Sequence, residues 1–228
     1  MNASADTDME VLPEESPAWK EVYFHPKAVA RRMKKHHRKM QRMGLFSWPR
    51  QTHILDLCCG TGEALRILRN AGFTRLSGLD VTIDPELKHE NWLDIKAGDS
   101  RALHYPDASF DAIVCMHSLH HLGGVEGIRA ALGEAWRVLK PGGRVALTDH
   151  YDSLQLRFAF WACRQSWLTW PSFGLRAFKR QLDEEWPYLS EYIDAWPQVQ
   201  AVMNGLGPMR IELDAKGPFF FYWTAVKK

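Results

Sequence analysis

Apolar positions along the chain repeat with two periods, and the switches between them mark the elements. Residues 53–58 are a short run rich in Ile and Leu that ends at a glycine loop, the pattern of a buried strand. Residues 63–70 change to helical spacing, with Ala64, Leu65, Ile67 and Leu68 on one face and Gly72 as the stop. Residues 75–80 read as a second strand, 94–98 as a weaker third, and 110–115, apolar and β-branched, as a fourth. A helix is expected over 125–139, stopped by Pro141-Gly142-Gly143, and a fifth strand over 144–148. Strands alternating with helical patterns predict a parallel sheet covered on both faces.

The flanks differ. Pro26 suits the first turn of a helix over 27–43, ended by Gly44, with Val29, Met33, Met40 and Met43 on one face and cations on the rest. Residues 152–203 read as helical and crowded with aromatics, among them Phe158, Phe160, Trp161, Trp167, Trp170, Phe178, Trp186, Tyr192 and Trp196. Two short strands, 209–213 and 219–226, are joined at Gly217-Pro218 and predict an antiparallel edge hairpin. The expected architecture is α/β: a three-layer, doubly wound, mostly parallel seven-stranded sheet. It carries a C-terminal antiparallel hairpin, an N-terminal helix and an aromatic-rich helical insertion after the fifth strand. Residues 1–17 are expected to be a disordered acidic tail, and 18–228 one domain.

Composition narrows the function classes. A length of 228 residues suits one α/β domain, and a formal net charge of +2 argues against a general polyanion binder. The acidic N-terminus has neither the basic nor the apolar region of a secretory signal. The four cysteines, Cys58, Cys59, Cys115 and Cys163, form no C-x-x-C pair. Adjacent Cys58 and Cys59 cannot readily share a tetrahedral metal site, so no metal ligands are assigned. Sparse, unpatterned cysteine fits the reducing cytoplasm.

The chemistry concentrates in Leu55-Asp56-Leu57-Cys58-Cys59-Gly60-Thr61-Gly62-Glu63, where a strand runs into a glycine turn and a helix. Gly60 and Gly62 let the backbone approach a ligand, and the helix N-terminus offers N–H groups to a carboxylate or phosphate. Dinucleotide-binding enzymes use a similar loop with a third glycine, but Leu65 stands at that position.

In order after this loop come Gly78-Leu79-Asp80-Val81, Ala97-Gly98-Asp99-Ser100, Phe110-Asp111-Ala112-Ile113-Val114-Cys115-Met116-His117 and Arg137-Val138-Leu139-Lys140-Pro141-Gly142-Gly143. Over residues 52–148 the chain resembles the class I S-adenosylmethionine-dependent methyltransferases, specifically the small-molecule and quinone-biosynthesis subgroup. The resemblance implies S-adenosyl-L-methionine as cofactor. Backbone at Cys58, Gly60, Thr61 and Gly62 would cradle the methionine moiety, with Asp56 near its amino group. Asp80 and Val81 would meet the ribose, Asp99 and Ser100 the adenine, and Met116 and His117 would lie near the sulfonium. Family members place a full helix after the second strand. Residues 82–93, with Pro85, His89, Asn91 and Trp92, predict a short or irregular one.

The resemblance also implies in-line methyl transfer to an O, N or C nucleophile, with a base needed only for an acceptor protonated at working pH. Candidate groups on the acceptor side are His150, Tyr151 and His121, with His117 and His120 beside them; Tyr23 is a candidate lid residue. The aromatics of 152–203 suggest an acceptor-side cover for a small, apolar or aromatic acceptor. The basic helix raises an RNA methyltransferase as a rival. The fourth motif, Cys115-Met116-His117-Ser118, lacks the Pro-Pro form that enzymes methylating base amino groups use, so nucleic acid is disfavoured. Peripheral membrane contact through residues 154–170 is a weaker alternative, and a non-catalytic S-adenosylmethionine-binding subunit is a third. The sequence leaves the oligomeric state and the acceptor's identity open.

Overall fold

The computed structural model describes residues 26–165 and 173–228. The expected acidic tail at 1–17 and the residues Tyr23, Trp167 and Trp170 lie outside them. Helix α1 (Pro26–Arg42) leads into strand β1 (His53–Leu57), helix α2 (Glu63–Asn70) and β2 (Arg75–Asp80). Then follow β3 (Leu93–Ala97), β4 (Phe110–Met116), α3 (Gly124–Val138) and β5 (Leu139–Thr148). Three helices, α4 (Leu154–Arg164), α5 (Phe173–Asp194) and α6 (Trp196–Asn204), precede β6 (Met209–Lys216) and β7 (Phe221–Lys227).

The seven strands form one sheet in the order β3-β2-β1-β4-β5-β7-β6. The first five are parallel; β7 is antiparallel to both β5 and β6. The final hairpin therefore folds back, and its second strand, not its first, joins the parallel sheet. Burial follows: Phe221 to Ala225 are all buried, whereas β6 alternates as an edge strand does.

The period of two sorts β1 and β4 between two cores. Leu55, Leu57, Ile113 and Cys115 face α3, α5 and α6, where they meet Ile128, Leu132, Leu189, Trp196 and Val199. Ile54, Ala112, Val114 and Met116 face α1 and α2, with Met40, Met43, Leu65, Leu68 and Phe73. Each fully buried Leu contributes about 1.5–3 kcal/mol relative to leaving it in water. Asp56 has the parity of Ile54, so the same alternation delivers a carboxylate to the α1/α2 side.

Several boundaries differ from expectation; in the hairpin the strands are Met209–Lys216 and Phe221–Lys227 rather than 209–213 and 219–226. The third strand begins at Leu93, and the helix of 125–139 begins at Gly124 and ends at Val138. The fifth strand begins at Leu139 and runs through Pro141-Gly142-Gly143, which read as a turn in the sequence. Leu139 already pairs with Phe110, and the register then shifts before Ala112 pairs with Arg144, so the proline and glycines occupy an irregular, bulged strand start. Residues 82–92 contain only one short 3-10 turn, Leu87–His89, consistent with their weak periodicity.

Candidate active site

The loop after β1 turns by three residues in the left-handed region: Cys58 (φ 57°), Gly60 (φ 51°) and Gly62 (φ 75°). A Cβ on Gly62 would come within 2.6 Å of the Leu87 methyl groups, so a larger residue here would have to displace Leu87 and hold a strained left-handed backbone. Gly60 N–H donates to Asp80 Oδ2 at 2.8 Å, joining the loop to the end of β2. Thr82 N–H donates to the other Asp80 oxygen at 3.2 Å. Helix α2 starts at Gly62 with no side-chain cap, which leaves its first N–H groups open at the loop.

Asp56 lies beneath this loop, buried, and no hydrogen bond from the described residues reaches its carboxylate. Burial, then the charges of Asp80 and Glu63, raise its pKa well above the usual carboxylate range. Burial also raises Asp80, against its backbone hydrogen bonds. Such a pocket favours a cation beside Asp56 and an anion at the α2 N-terminus. An amino-acid zwitterion offers both, so the residues present fit the methionine end of S-adenosylmethionine.

The other expected cofactor residues gather along the same carboxyl edge. Cys58 Sγ lies 3.7 Å from Ser100 Oγ, and the Cys58 carbonyl accepts from Ser118 Oγ. Ser100 is buried, Met116 is buried at the end of β4, and His117 follows it with φ 61°. Val81 is exposed. Asp99 is already engaged: both its oxygens accept from the Arg101 guanidinium, and Oδ1 also accepts from Arg101 N–H. The hydrogen bond from Arg101 lowers its pKa.

A second polar centre joins the ends of β4 and β5. Asp149 is fully buried and accepts from Leu119 N–H (2.8 Å), His120 Nδ1 (3.0 Å) and His150 N–H (2.7 Å). Burial alone would raise its pKa, but His120 and then His117 and His150 hold it far below the carboxylate range. The same pair raises His120 despite its burial. Burial and the neighbouring Lys39 push His117 well down; burial pushes His150 down to about 4. His150 Nδ1 is buried with no hydrogen-bond partner. Tyr151 donates its hydroxyl to the Gly217 carbonyl at 2.6 Å, and His121 is exposed. His117, Asp149 and His150 place ligand-type atoms within 4.8 Å of one another. The Asp149 oxygens are already filled by donors, however, and an amine stands against His117, so the cluster is a hydrogen-bonded one.

That amine belongs to α1. One seam of the helix turns Arg32, His36, Lys39, Met40 and Met43 inward. Arg32 pairs with Glu63 Oε1 at 2.6 Å, and Glu63 also accepts from Thr61 Oγ1. His36 stacks on His117 at 5.5 Å between centroids. Lys39 Nζ makes a hydrogen bond with His117 Nε2 and lies 3.2 Å from the centre of the Phe220 ring. Sequence reasoning missed Arg32, Lys39, Glu63 and Asp149 as site residues. Asp149 at the end of an apolar strand was a usable signal; Lys39 among many helical cations was not. On the other side, Phe160 faces His150 at 5.8 Å and Tyr192 donates its hydroxyl to the His150 carbonyl, while Phe158 and Trp161 are exposed.

Residues 55–147 match a family model described as a methyltransferase domain. The chain is 33% identical over 166 residues to the 2-phytyl-1,4-naphtoquinone methyltransferase of Thermosynechococcus vestitus, covering 67% of this chain and 66% of that protein. It is 31% identical over 151 residues to the demethylmenaquinone methyltransferase of Streptomyces avermitilis, covering 63% and 61%. The chain thus spans less than two thirds of the length of these curated relatives. The solved PH0226 protein of Pyrococcus horikoshii OT3 superposes with a TM-score of 0.63 at 18% identity, covering 94% of this chain and 100% of that one. Glycine loop, acidic strand ends, strand order and these likenesses agree: the chain belongs to the class I S-adenosylmethionine-dependent methyltransferase family.

Proposed function

We propose that the protein methylates a small, apolar or aromatic acceptor, of the quinol or related phenolic class, using S-adenosylmethionine. The observation that carries this reading is the buried, cation-seeking Asp56 beside the open N-terminus of α2. In the proposal Cys58, Gly60, Thr61 and Gly62 hold the methionine moiety, Asp80 and Val81 the ribose, and Ser100 the adenine. Asp99 meets the adenine amino group only in competition with Arg101. Met116 and His117 line the region next to the acceptor. The bound cofactor supplies an electrophilic methyl carbon, so the chain's own task is alignment and proton handling.

Among His150, Tyr151 and His121, His150 is the one we assign to the acceptor. Its partnerless Nδ1 and its position beside Phe160 and Phe220 support this. The Tyr151 hydroxyl is committed to Gly217, and His121 is exposed. The quinone-directed names of the relatives support the acceptor class. Residues 27–43 and 152–203 would form the two sides of an acceptor cover within one domain over 18–228. The inward use of Arg32 and Lys39 weakens the phosphate-binding reading of α1. Four unpaired cysteines support a cytoplasmic setting, and no described helix is long and apolar enough to cross a membrane.

Calorimetric titration of S-adenosylhomocysteine tests the reading. Wild type binds, and Asp80→Ala weakens binding at least tenfold, as the loss of charge-assisted hydrogen bonds predicts (~1.5–3 kcal/mol). Equal affinities would sink the ribose role. No binding by wild type, together with no S-adenosylhomocysteine formed from quinol acceptors, would leave the protein outside catalysis.

A further inference from the structure

Each histidine near the acceptor side has a reason to be a poor proton acceptor. His120 is bound to Asp149 through Nδ1 and already favours its proton. His121 is pushed down to about 3, by loss of solvent around its ring and then by the neighbouring His120. His117 turns Nε2 to Lys39 and Nδ1 toward Asp149, 3.9 Å away. His150 faces the cluster but holds a proton too weakly to draw one from a phenol. The Tyr151 and Tyr192 hydroxyls at this junction are donors to backbone carbonyls, and α1 brings in two further groups, His36, pushed down to about 4 chiefly by burial, and Lys39.

We propose that Lys39 is the general base of the site, taking the proton from an oxygen-acid acceptor, a phenol or enol, and then pairing with the oxyanion it creates. The inference rests on the methyltransferase reading above. In the step, the acceptor O–H bond breaks, its proton forms a bond to the neutral Lys39 Nζ, and the electron pair stays on oxygen. An ammonium–oxyanion pair results, and the net charge is unchanged.

The surroundings suit both states of the amine. The face of Phe220 attracts the ammonium, and His117 Nε2 is a hydrogen-bond partner of Nζ. The groups facing Lys39 are Lys35 and His36 on its own helix, His117 at the end of β4, and Asp149 and His150 at the end of β5. The hairpin contributes the uncharged Phe220. Burial pushes the lysine down to about 7, with Asp149 acting against the shift and Lys35 with it. A base poised near the working pH combines availability with proton affinity, and positioned bases contribute on the order of 10²–10⁴-fold in rate.

Two measurements on the full chain test this without turnover. Trace acetic-anhydride labelling across pH, read by mass spectrometry of the Lys39 peptide, should titrate near neutrality, whereas ordinary lysines titrate near ~10.4. A midpoint above about 9 overturns the proposal. Second, 4-nitrophenol added to the protein with S-adenosylhomocysteine should show the phenolate absorption band at a pH where the free probe is mostly protonated. Lys39→Met and Lys39→Gln should reduce that band about tenfold, as loss of one opposing charge within contact predicts, with melting curves reporting that both variants fold. A band absent from wild type, or equally strong in a folded variant, overturns it. Homocysteine-cofactor binding that persists in Lys39→Met isolates such a failure from failure of the methyltransferase reading. That reading fails instead if wild type binds no S-adenosylhomocysteine.

Discussion

Asp149 shows how one residue can organise a site. It receives backbone N–H groups from the loop after β4 and from its own strand end, and a ring nitrogen from His120. It thereby ties the Leu119–His121 turn to β5 while remaining charged in the interior. A buried anion so well supplied with donors is stable only while all of them are present; removing it strands those donors instead. Asp149→Ala should therefore cost about 3–5 kcal/mol. In denaturant titration this appears as a lower midpoint at unchanged slope. A loss below about 1 kcal/mol would mean that the loop is held elsewhere.

At the scale of elements, α1 is the part whose meaning changed most. Its sequence reads as a basic helix resting on methionines, and Met40 and Met43 do enter the core. Its polar seam is equally organised: Arg32, His36 and Lys39 lie at spacings of four and three, on the turns that face the loop and the strand ends. The Arg32–Glu63 pair is shielded, with side-chain exposures of 21% and 5%, and Glu63 sits at the first turn of α2 where its charge is favourable. Arg32→Ala should loosen α1 and leave the sheet intact. Hydrogen exchange of α1 amides should rise roughly tenfold, the effect of about 1.4 kcal/mol on local opening, with β1 and β4 unchanged. Uniform exchange across the molecule would show that α1 is not a separately opening unit.

The whole molecule's response to pH follows from its buried bases. His36 and His150 are pushed down to about 4, chiefly by burial, and His117 also falls well below 6.5. Between pH 6.5 and 4 the unfolded chain takes protons that the folded chain refuses, so stability falls on acidification. His120 acts oppositely: its raised pKa adds stability below 6.5 that is lost as pH climbs through its folded value. His53 and His121 fall as well, His121 to about 3, whereas the raised Asp56 and Asp80 act with His120; five lowered histidines against three raised groups set the sign. Lys39, at about 7, extends the rise, because an unfolded lysine keeps its proton up to about 10.4. Scanning calorimetry at fixed ionic strength should find the melting temperature several degrees higher at pH 8 than at pH 5, since ~1 kcal/mol moves it by roughly 2–4 °C at this size. A flat or inverted profile would show that these histidines are protonated in the folded state.

What the sequence determined by itself was local: the alternation of strand and helix, the glycine turn after β1, and the acids at the ends of β2 and β3. These follow from side-chain period, glycine's access to left-handed backbone and short-range connection, all of which reside in a few consecutive residues. The tertiary structure decided what depends on distant partners. Only packing sends β7 between β5 and β6: β7 is a continuous apolar run and β6 alternates with charges, but their order in the sheet depends on pairing with the distant β5. Only packing separates Lys39 from the other cations of α1, since its partner His117 lies 78 positions away and burial, not residue type, makes it a base. Asp99 shows the reverse: its motif suggests a ligand contact, and the structure adds Arg101, two residues on, as a competitor for the same oxygens.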